Sequence, residues 1–306
     1  MSVPAASVGG RRGGSLVIPS LIACVALAAL IFLPRLGQSD SVSVPAARTG
    51  AASAGVRSIP PFPTRAPAPV WGNAVDATVR FQQAIDKMPE GAPYVFRVTE
   101  LAMEPGTRVF DHRQLSVGAH VVVGGTITIN DLDHSASTTY QPGQAYFEGL
   151  DLLHNAVNDG PTTNRVLMFD LLPASRGFDG TQQFTDKGRH NDGELRSGPY
   201  VQVPLRDLPS GALMLRVTDL GFGPKAKSIE HVVLGPTLFF VQEGTATVRK
   251  NWDNSSTTYG TNGYFYESGR EPYILENKPA SPARFIAVEI LPASIGDGPS
   301  TIPTAD

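Results

Sequence analysis

The 306-residue sequence is poor in cysteine, in excess charge of either sign and in the motifs of common catalytic folds. Its single cysteine excludes a disulfide framework within the chain and a zinc site built from several thiolates. The net charge of −3 lacks the basic surplus that nucleic-acid binding needs, so we expect no nucleic-acid partner. No nucleophile-elbow, P-loop, dinucleotide-binding or zincin motif occurs, so those enzyme classes have no support.

Glycine and proline are plentiful by contrast. The chain contains 31 glycines and 26 prolines, while hydrophobic residues make up 41% and charged residues 17% of it. Such a composition can bury a core but interrupts long helices with frequent turns. It predicts a turn-rich, β-rich globular protein.

One long apolar run stands near the N-terminus, from Gly13 to Pro34, and it carries no charged residue. At about 1.5 Å per residue a helix of this length spans about 33 Å, enough to cross a bilayer core. Arg11 and Arg12 precede the run, which by the positive-inside bias favours a cytoplasmic segment at 1–12. We therefore predict a single-pass protein of the cytoplasmic membrane, with everything beyond the helix outside the cytoplasm.

The same run is also compatible with a cleaved signal sequence, which would leave a secreted or periplasmic protein. Under either interpretation residues 35–70, rich in Ala, Ser, Gly and Pro, form a disordered linker. This linker would hold the folded part of the chain away from the membrane.

The folded part is an internal duplication. Identical stretches recur at a constant offset of 119 residues: Arg97-Val98-Thr99 with Arg216-Val217-Thr218, Ser137–Tyr140 with Ser256–Tyr259, and Leu172–Ser175 with Leu291–Ser294. We predict two homologous modules, at 71–183 and 200–306, joined by an inter-module loop at 184–199.

Each module is predicted to consist mainly of short strands. In the first module these are apolar or β-branched runs bounded by turn residues: Tyr94–Leu101, Ala119–Asn130, Gln144–Glu148 and Arg165–Leu172. The spacing of apolar residues over Asp76–Met88 predicts a single helix there. Short strands in a module of this size favour a small barrel or jelly roll.

Two motifs of the first module resemble those of the cupin superfamily. Gly106, His112, Gln114, Gly118 and Gly125 occupy, at correct spacing, the positions of the first cupin motif, which consists of a glycine, two histidines, a glutamate and a glycine. The stretch Pro142–Glu148, followed by His154 and Asn158, is similar to the second cupin motif. The resemblance implies an all-β bicupin: two tandem cupin-type jelly-roll barrels after a transmembrane helix and a Pro/Ala-rich linker.

In that family two histidines and a glutamate of the first motif and a histidine of the second hold a divalent metal. Here His112 and His154 match, whereas Gln114 replaces a histidine and Gly118 replaces the glutamate. Because alternate residues of a strand share a face, His120 is expected to point inward as well. We therefore favour a site in module 1 that has lost its metal and keeps these histidines as hydrogen-bonded lumen residues. The alternative is that His112, His120 and His154, with Gln114 nearby, hold one divalent metal (Zn, Fe, Mn, Ni or Cu).

Module 2 retains His231 of the metal-binding pattern, and we interpret it as metal-free. Phe239 matches His120 and Tyr273 matches His154, so aromatic rings replace imidazoles. Its lumen is then either a packed core or an apolar pocket. In the second case the candidate ligand-binding residues are His231, Phe239, Tyr273 and Glu267.

Glu148 and Glu267 occupy the same position in both modules, which points to a shared role other than metal binding. A buried carboxylate needs a partner, so Glu148 is expected to pair with Arg165, and Glu267 with Arg284. The alternative is that Glu148 is a catalytic acid–base group beside a substrate.

Three functions remain in competition. The first is an extracytoplasmic, membrane-anchored bicupin with degenerate metal sites that binds a small molecule in a barrel lumen. The second is a divalent-metal-dependent enzyme, dioxygenase-like or isomerase-like, that uses module 1 alone. The third is a structural platform for another envelope protein. The resemblance also implies association into a homo-oligomer through the sheets.

Overall fold

Short strands make up almost all of the structure, a computed structural model that describes residues 69–72, 74–176, 181–186 and 189–304. The first half contains ten strands: β1 (Val75–Ile85), β2 (Tyr94–Met103), β3 (Arg108–Gln114), β4 (Val117–Gly124), β5 (Ile127–Asp131), β6 (Ala136–Tyr140), β7 (Ala145–Glu148), β8 (Leu153–Val157), β9 (Asn164–Pro173) and β10 (Gln182–Phe184). The second half contains β11 (Asn191–Asp192), β12 (Leu195–Pro204), β13 (Leu213–Phe222), β14 (His231–Val233), β15 (Thr237–Glu243), β16 (Thr245–Lys250), β17 (Ser255–Gly260), β18 (Tyr264–Glu267), β19 (Ile274–Glu276), β20 (Ala283–Pro292) and β21 (Thr301–Pro303). Short 3-10 turns at Ala174–Arg176 and Ala293–Ile295 follow β9 and β20.

The strands form two antiparallel jelly-roll barrels. Barrel 1 combines the sheet β10-β3-β8-β5-β6, to which β11 adds beside β3, with the sheet β12-β2-β9-β4-β7. Barrel 2 combines the sheet β1-β13-β20-β15-β18 with the smaller sheets β17-β16-β19 and β14-β21. Strands β9 and β20 start 119 residues apart, as do β10 and β21. The all-β class and the internal duplication are therefore confirmed.

The two barrels exchange their first strands. β1 pairs along its length with β13 of barrel 2, and β12 pairs with β2 of barrel 1. Both exchanged strands carry a register shift at corresponding places, between Val79 and Phe81 and between Pro199 and Val201. Each sheet is thus completed by a strand that precedes the other barrel in the chain.

The largest hydrophobic cluster lies between the barrels. Val98 and Phe169 of barrel 1 belong to the same buried cluster as Val217 and Val288 of barrel 2. Successive side chains of a strand point to opposite faces, so the residues next to these in each strand face the barrel interiors. The inward neighbours of Val98 and Phe169 include Asp170, which matters for the site below.

The helix predicted over Asp76–Met88 is wrong, because residues Val75–Ile85 form the strand β1. The apolar residues on which the helix rested do not share a buried face: Val79 is 48% exposed and Ile85 is buried. Ten backbone pairings with β13 outweigh the weak helical pattern of this segment.

Two other boundaries are also corrected. The segment 184–199, predicted to be a loop, contains β11 and the first half of β12, both paired with barrel 1. The run Ala119–Asn130, predicted to be one strand, is divided between β4 and β5 at Gly125, whose φ of 61° favours glycine. A Cβ there would also lie 2.7 Å from the backbone of Asn164.

The predicted cytoplasmic segment 1–12, the predicted membrane helix 13–34 and the linker up to residue 68 lie outside the described residues. Within the part of the chain that is described, no helix is long and apolar enough to span a membrane. The end of the predicted linker is ordered: Val70 is buried, and its carbonyl accepts a hydrogen bond from the backbone N–H of Ile229. The linker therefore ends against barrel 2.

Candidate functional site

A cavity of about 120 Å³ lies inside barrel 1, and the two sheets of the barrel supply its walls. Its polar wall contains His112, Glu148 and His154, and its apolar wall includes Leu101, Ile127 and Met168. A cavity of about 150 Å³ holds one benzene molecule. The enclosed space in barrel 1 therefore suits a molecule, or part of one, slightly smaller than benzene.

His112 and His154 face the cavity from paired strands. They lie directly opposite each other on β3 and β8, with ring centroids 4.2 Å apart. Nδ1 of His112 donates to the carbonyl of Phe110 at 2.7 Å, whereas its buried Nε2 has no hydrogen-bond partner in the part of the chain that the structure describes. Burial and the neighbouring His154 lower the pKa of His112 to about 4, so its ring is neutral at pH 7 and Nε2 is an acceptor.

Glu148 reaches across the barrel from the opposite sheet. Its Oε1 lies 3.1 Å from Nε2 of His154, and both side chains are almost fully buried. Burial alone would raise the pKa of Glu148, but His120 and His154 hold it well below its usual range. Burial lowers the pKa of His154, yet Glu148 outweighs it and raises that pKa. The two groups therefore form a buried pair at one side of the cavity, in which each stabilises the charged form of the other.

His120 lies behind this pair, between two carboxylates. Its Nδ1 is 3.4 Å from Glu148 and its Nε2 is 3.4 Å from Asp170. The contact with Glu148 has the distance of an ion pair but not the geometry of a hydrogen bond. Gly118, paired with both Glu148 and Asp170, makes room for this arrangement. A Cβ at residue 118 would come within 2.8 Å of the His120 ring and 2.7 Å of Asp170. Burial opposes protonation of His120, but the carboxylates, Glu148 first, raise its pKa to about 10.

Gln114 is directed to the same carboxylate. Its Nε2 donates to Ser116 at 2.6 Å and to Asp170 at 3.3 Å, and Ser116 donates to Asp170 at 2.7 Å. Asp170 is thus the centre of a buried polar network on the far side of His120 from the cavity.

The predicted metal ligands do not come together around one point. Both ring nitrogens of His120 face carboxylates, and the Gln114 amide is committed to Ser116 and Asp170. Across residues 69–304, as far as they are described, no group of three or more His, Cys, Asp or Glu side chains is arranged to hold a metal ion. The set His112, His120, His154 and Gln114 therefore does not fit a divalent metal in this conformation.

In barrel 2 the corresponding space is filled by aromatic side chains. Phe239, at the position of His120, stacks on Phe265 with centroids 4.5 Å apart, and Tyr273, at the position of His154, is fully buried. His231 repeats the geometry of His112: Nδ1 donates to the carbonyl of Ile229 at 2.8 Å, and Nε2 has no partner among the described residues. The cavity beside them measures about 20 Å³, room for one water molecule. Of the candidate ligand-binding residues of module 2, His231, Phe239 and Tyr273 thus lie in a packed interior.

Glu148 and Glu267, which correspond between the two modules, have different partners from those predicted. Glu267 pairs with Lys250 at 3.3 Å, and burial, partly offset by Lys250, raises its pKa to about 7. The prediction that Glu148 pairs with Arg165 and Glu267 with Arg284 is wrong. Strand alternation turns both arginines outward, where Arg165 pairs with Glu100 and Arg284 with Asp219.

Sequence reasoning missed Asp170 and the cavity-lining residues Phe184 and His190. Asp170 is the one acid within the apolar strand β9, and Glu289 stands 119 residues later, so a search for charged residues inside predicted strands finds both. Phe184 of β10 pairs with His112 and stacks against His190, with centroids 4.2 Å apart. The contribution of β10 to the cavity could not be predicted, because β10 pairs with the distant strand β3.

Comparisons with known proteins support the fold. No protein-family model and no curated protein matches the chain. Among solved structures, a tryptophan-to-tyrosine variant of oxalate decarboxylase from Bacillus subtilis is similar with a TM-score of 0.50 and 13% identity, over 74% of this chain and 80% of that one. AerE from Microcystis aeruginosa (TM-score 0.45, 12% identity, 70% and 99% covered) and the 7S globulin of Momordica charantia (0.46, 11%, 64% and 73%) resemble it more weakly.

Proposed function

Because the chain has the fold of two tandem cupin barrels, we propose that it binds a small molecule in the cavity of barrel 1. One observation carries the proposal: barrel 1 holds a cavity beside the unpartnered Nε2 of His112, whereas barrel 2 fills the equivalent space with Phe239 and Tyr273. Apolar cavities with a few convergent polar groups are the usual form of a ligand site.

The cavity lining favours a neutral ligand. Glu148 already contacts His154 and His120, and no lysine or arginine belongs to the described residues that line the cavity. An organic anion would lose its hydration without gaining a free cation, which is costly in a buried site. The ligand we propose is therefore uncharged where it enters the barrel.

The location of this binding module is also part of the proposal. The apolar segment 13–34 supports a membrane helix, which would place both barrels outside the cytoplasm on a Pro-rich linker. Binding at this place would bring the ligand close to the membrane surface. Proteinase protection of the full chain in sealed cells and spheroplasts tests the topology.

The binding proposal is tested with neutral molecules of about four to six non-hydrogen atoms, including furan, pyrrole and 2-methylpropan-1-ol. Saturation-transfer NMR on the full chain is expected to detect binding of at least one of them. Ala156→Leu is expected to abolish it, because Ala156 lines the cavity and Leu275 occupies the equivalent place in the packed barrel 2. The matched control Leu275→Met keeps its volume and should leave binding intact.

If none of the panel binds, or if Ala156→Leu binds as well as the wild type, the proposal is wrong. The competing function is a metal-dependent enzyme that uses module 1. It has only the two imidazoles His112 and His154 at cavity positions, and the described side chains around them do not fit a metal ion. Metal content of the chain purified without chelator tests it. Near-stoichiometric metal that is lost in His112→Ala and in His154→Ala would favour the enzyme over the binding protein.

A further inference from the structure

The orientation of the His112 ring determines which kind of hydrogen bond it offers to the cavity. Its Nδ1 lies 2.7 Å from the carbonyl oxygen of Phe110, a group that can only accept, so the ring proton is on Nδ1. Nε2 therefore carries a lone pair. It is buried, and no donor among the described residues reaches it.

The other polar groups around the cavity leave His112 as the group that still needs a partner. Glu148 and His154 contact each other at 3.1 Å. The rest of the described lining mixes apolar residues such as Ile127 and Met168 with polar ones such as Thr99 and Gln182, and among its buried side-chain atoms only Nε2 of His112 lacks a hydrogen-bond partner within the described residues. A buried acceptor without a donor is unfavourable, and a bound molecule that supplies the donor removes this cost.

We infer that the ligand of barrel 1 carries an N–H or O–H group that donates to Nε2 of His112 and an apolar body that fills the rest of the cavity. This inference rests on the proposed binding function and specifies its ligand class: a neutral hydrogen-bond donor of about five non-hydrogen atoms, or a larger molecule whose inner end has this form. Hydrogen-bond acceptors of the same shape bind more weakly, because they leave Nε2 without a donor.

Pyrrole and furan test this inference because they are five-membered rings of the same shape. Pyrrole has an N–H donor where furan has an oxygen acceptor. In isothermal titration of the full chain, pyrrole is expected to bind about tenfold tighter than furan, or more, as recovery of one buried hydrogen bond implies. His112→Leu should remove the preference, whereas His231→Leu, the matched change in barrel 2, should keep it.

A measurement on the unaltered chain keeps the inference testable if His112→Leu fails to fold. With ¹⁵N-labelled histidine, addition of pyrrole should move one unprotonated Nε2 resonance, and furan at equal occupancy should leave it in place. Equal affinity of both rings, or no resonance change with pyrrole, overturns the inference but leaves cavity binding standing. If neither ring nor any other neutral molecule of this size binds, both the inference and the proposed function fail.

Discussion

Replacing His120 should destabilise the protein strongly, because this ring is the cation between two buried carboxylates. We consider His120→Phe, since the equivalent strand position of barrel 2 holds Phe239. The change removes contacts of 3.4 Å to Glu148 and to Asp170. Breaking a buried ion pair by removing one partner costs about 3–5 kcal/mol.

The remaining partners place the expected cost near the lower end of that range. Asp170 keeps hydrogen bonds from Ser116 at 2.7 Å and from Gln114 at 3.3 Å, and Glu148 keeps its contact with His154. We therefore expect the free energy of unfolding to fall by about 3 kcal/mol at pH 7. Urea unfolding followed by far-UV circular dichroism measures it. Tryptophan fluorescence is a poor monitor of barrel 1, because Trp71 packs against Phe222 and His231 of barrel 2.

A double-mutant cycle distinguishes lost charge pairing from poor packing of the new ring. Glu148→Gln alone should be destabilising, because it removes the carboxylate that His120 and His154 share. In the His120→Phe background the same change should cost little, since the carboxylate there has already lost one cation. A coupling free energy of about 2 kcal/mol or more is expected between the two sites. Additive effects, or a His120→Phe variant as stable as the wild type, would refute the argument.

Three further outcomes are expected. Burial lowers the pKa of His231 to about 4 from 6.5, so its neutral form stabilises the fold above pH 6.5 and this contribution of about 3 kcal/mol is lost as pH falls to 4. Between pH 6.5 and pH 4 the free energy of unfolding, measured by denaturant titration, should fall by about 3 kcal/mol less in His231→Leu than in the wild type. Gly118→Ala should lower the free energy of unfolding by about 1–3 kcal/mol through contact with Asp170, whereas Gly198→Ala, with no atom near its Cβ, should be nearly neutral. Asn158→Ala should cost about 2 kcal/mol, since it removes side-chain bonds to the carbonyls of Met103 and Thr162; a change in melting temperature too small to resolve would contradict this.

Much of the architecture could be predicted from local patterns in the sequence. The offset of 119 residues between repeated stretches predicted two equivalent modules, and alternating apolar residues predicted strands such as Tyr94–Leu101, which the structure extends to Met103. Period-two alternation also placed His112, His120 and His154 inside barrel 1. These features could be predicted because the face of a strand depends only on neighbouring residues.

The tertiary structure decided what those inward residues do. The exchange of β1 and β12 between barrels depends on pairing between residues 92 to 147 positions apart, which no local pattern records. The role of His120 depends on Asp170, which arrives from a distant strand, and on the space above Gly118. Whether a barrel is open depends on the summed volume of side chains from many strands. For that reason two barrels with histidines inside follow from the amino-acid pattern, whereas the cavity of about 120 Å³ in barrel 1 and the filled interior of barrel 2 follow only from the packing.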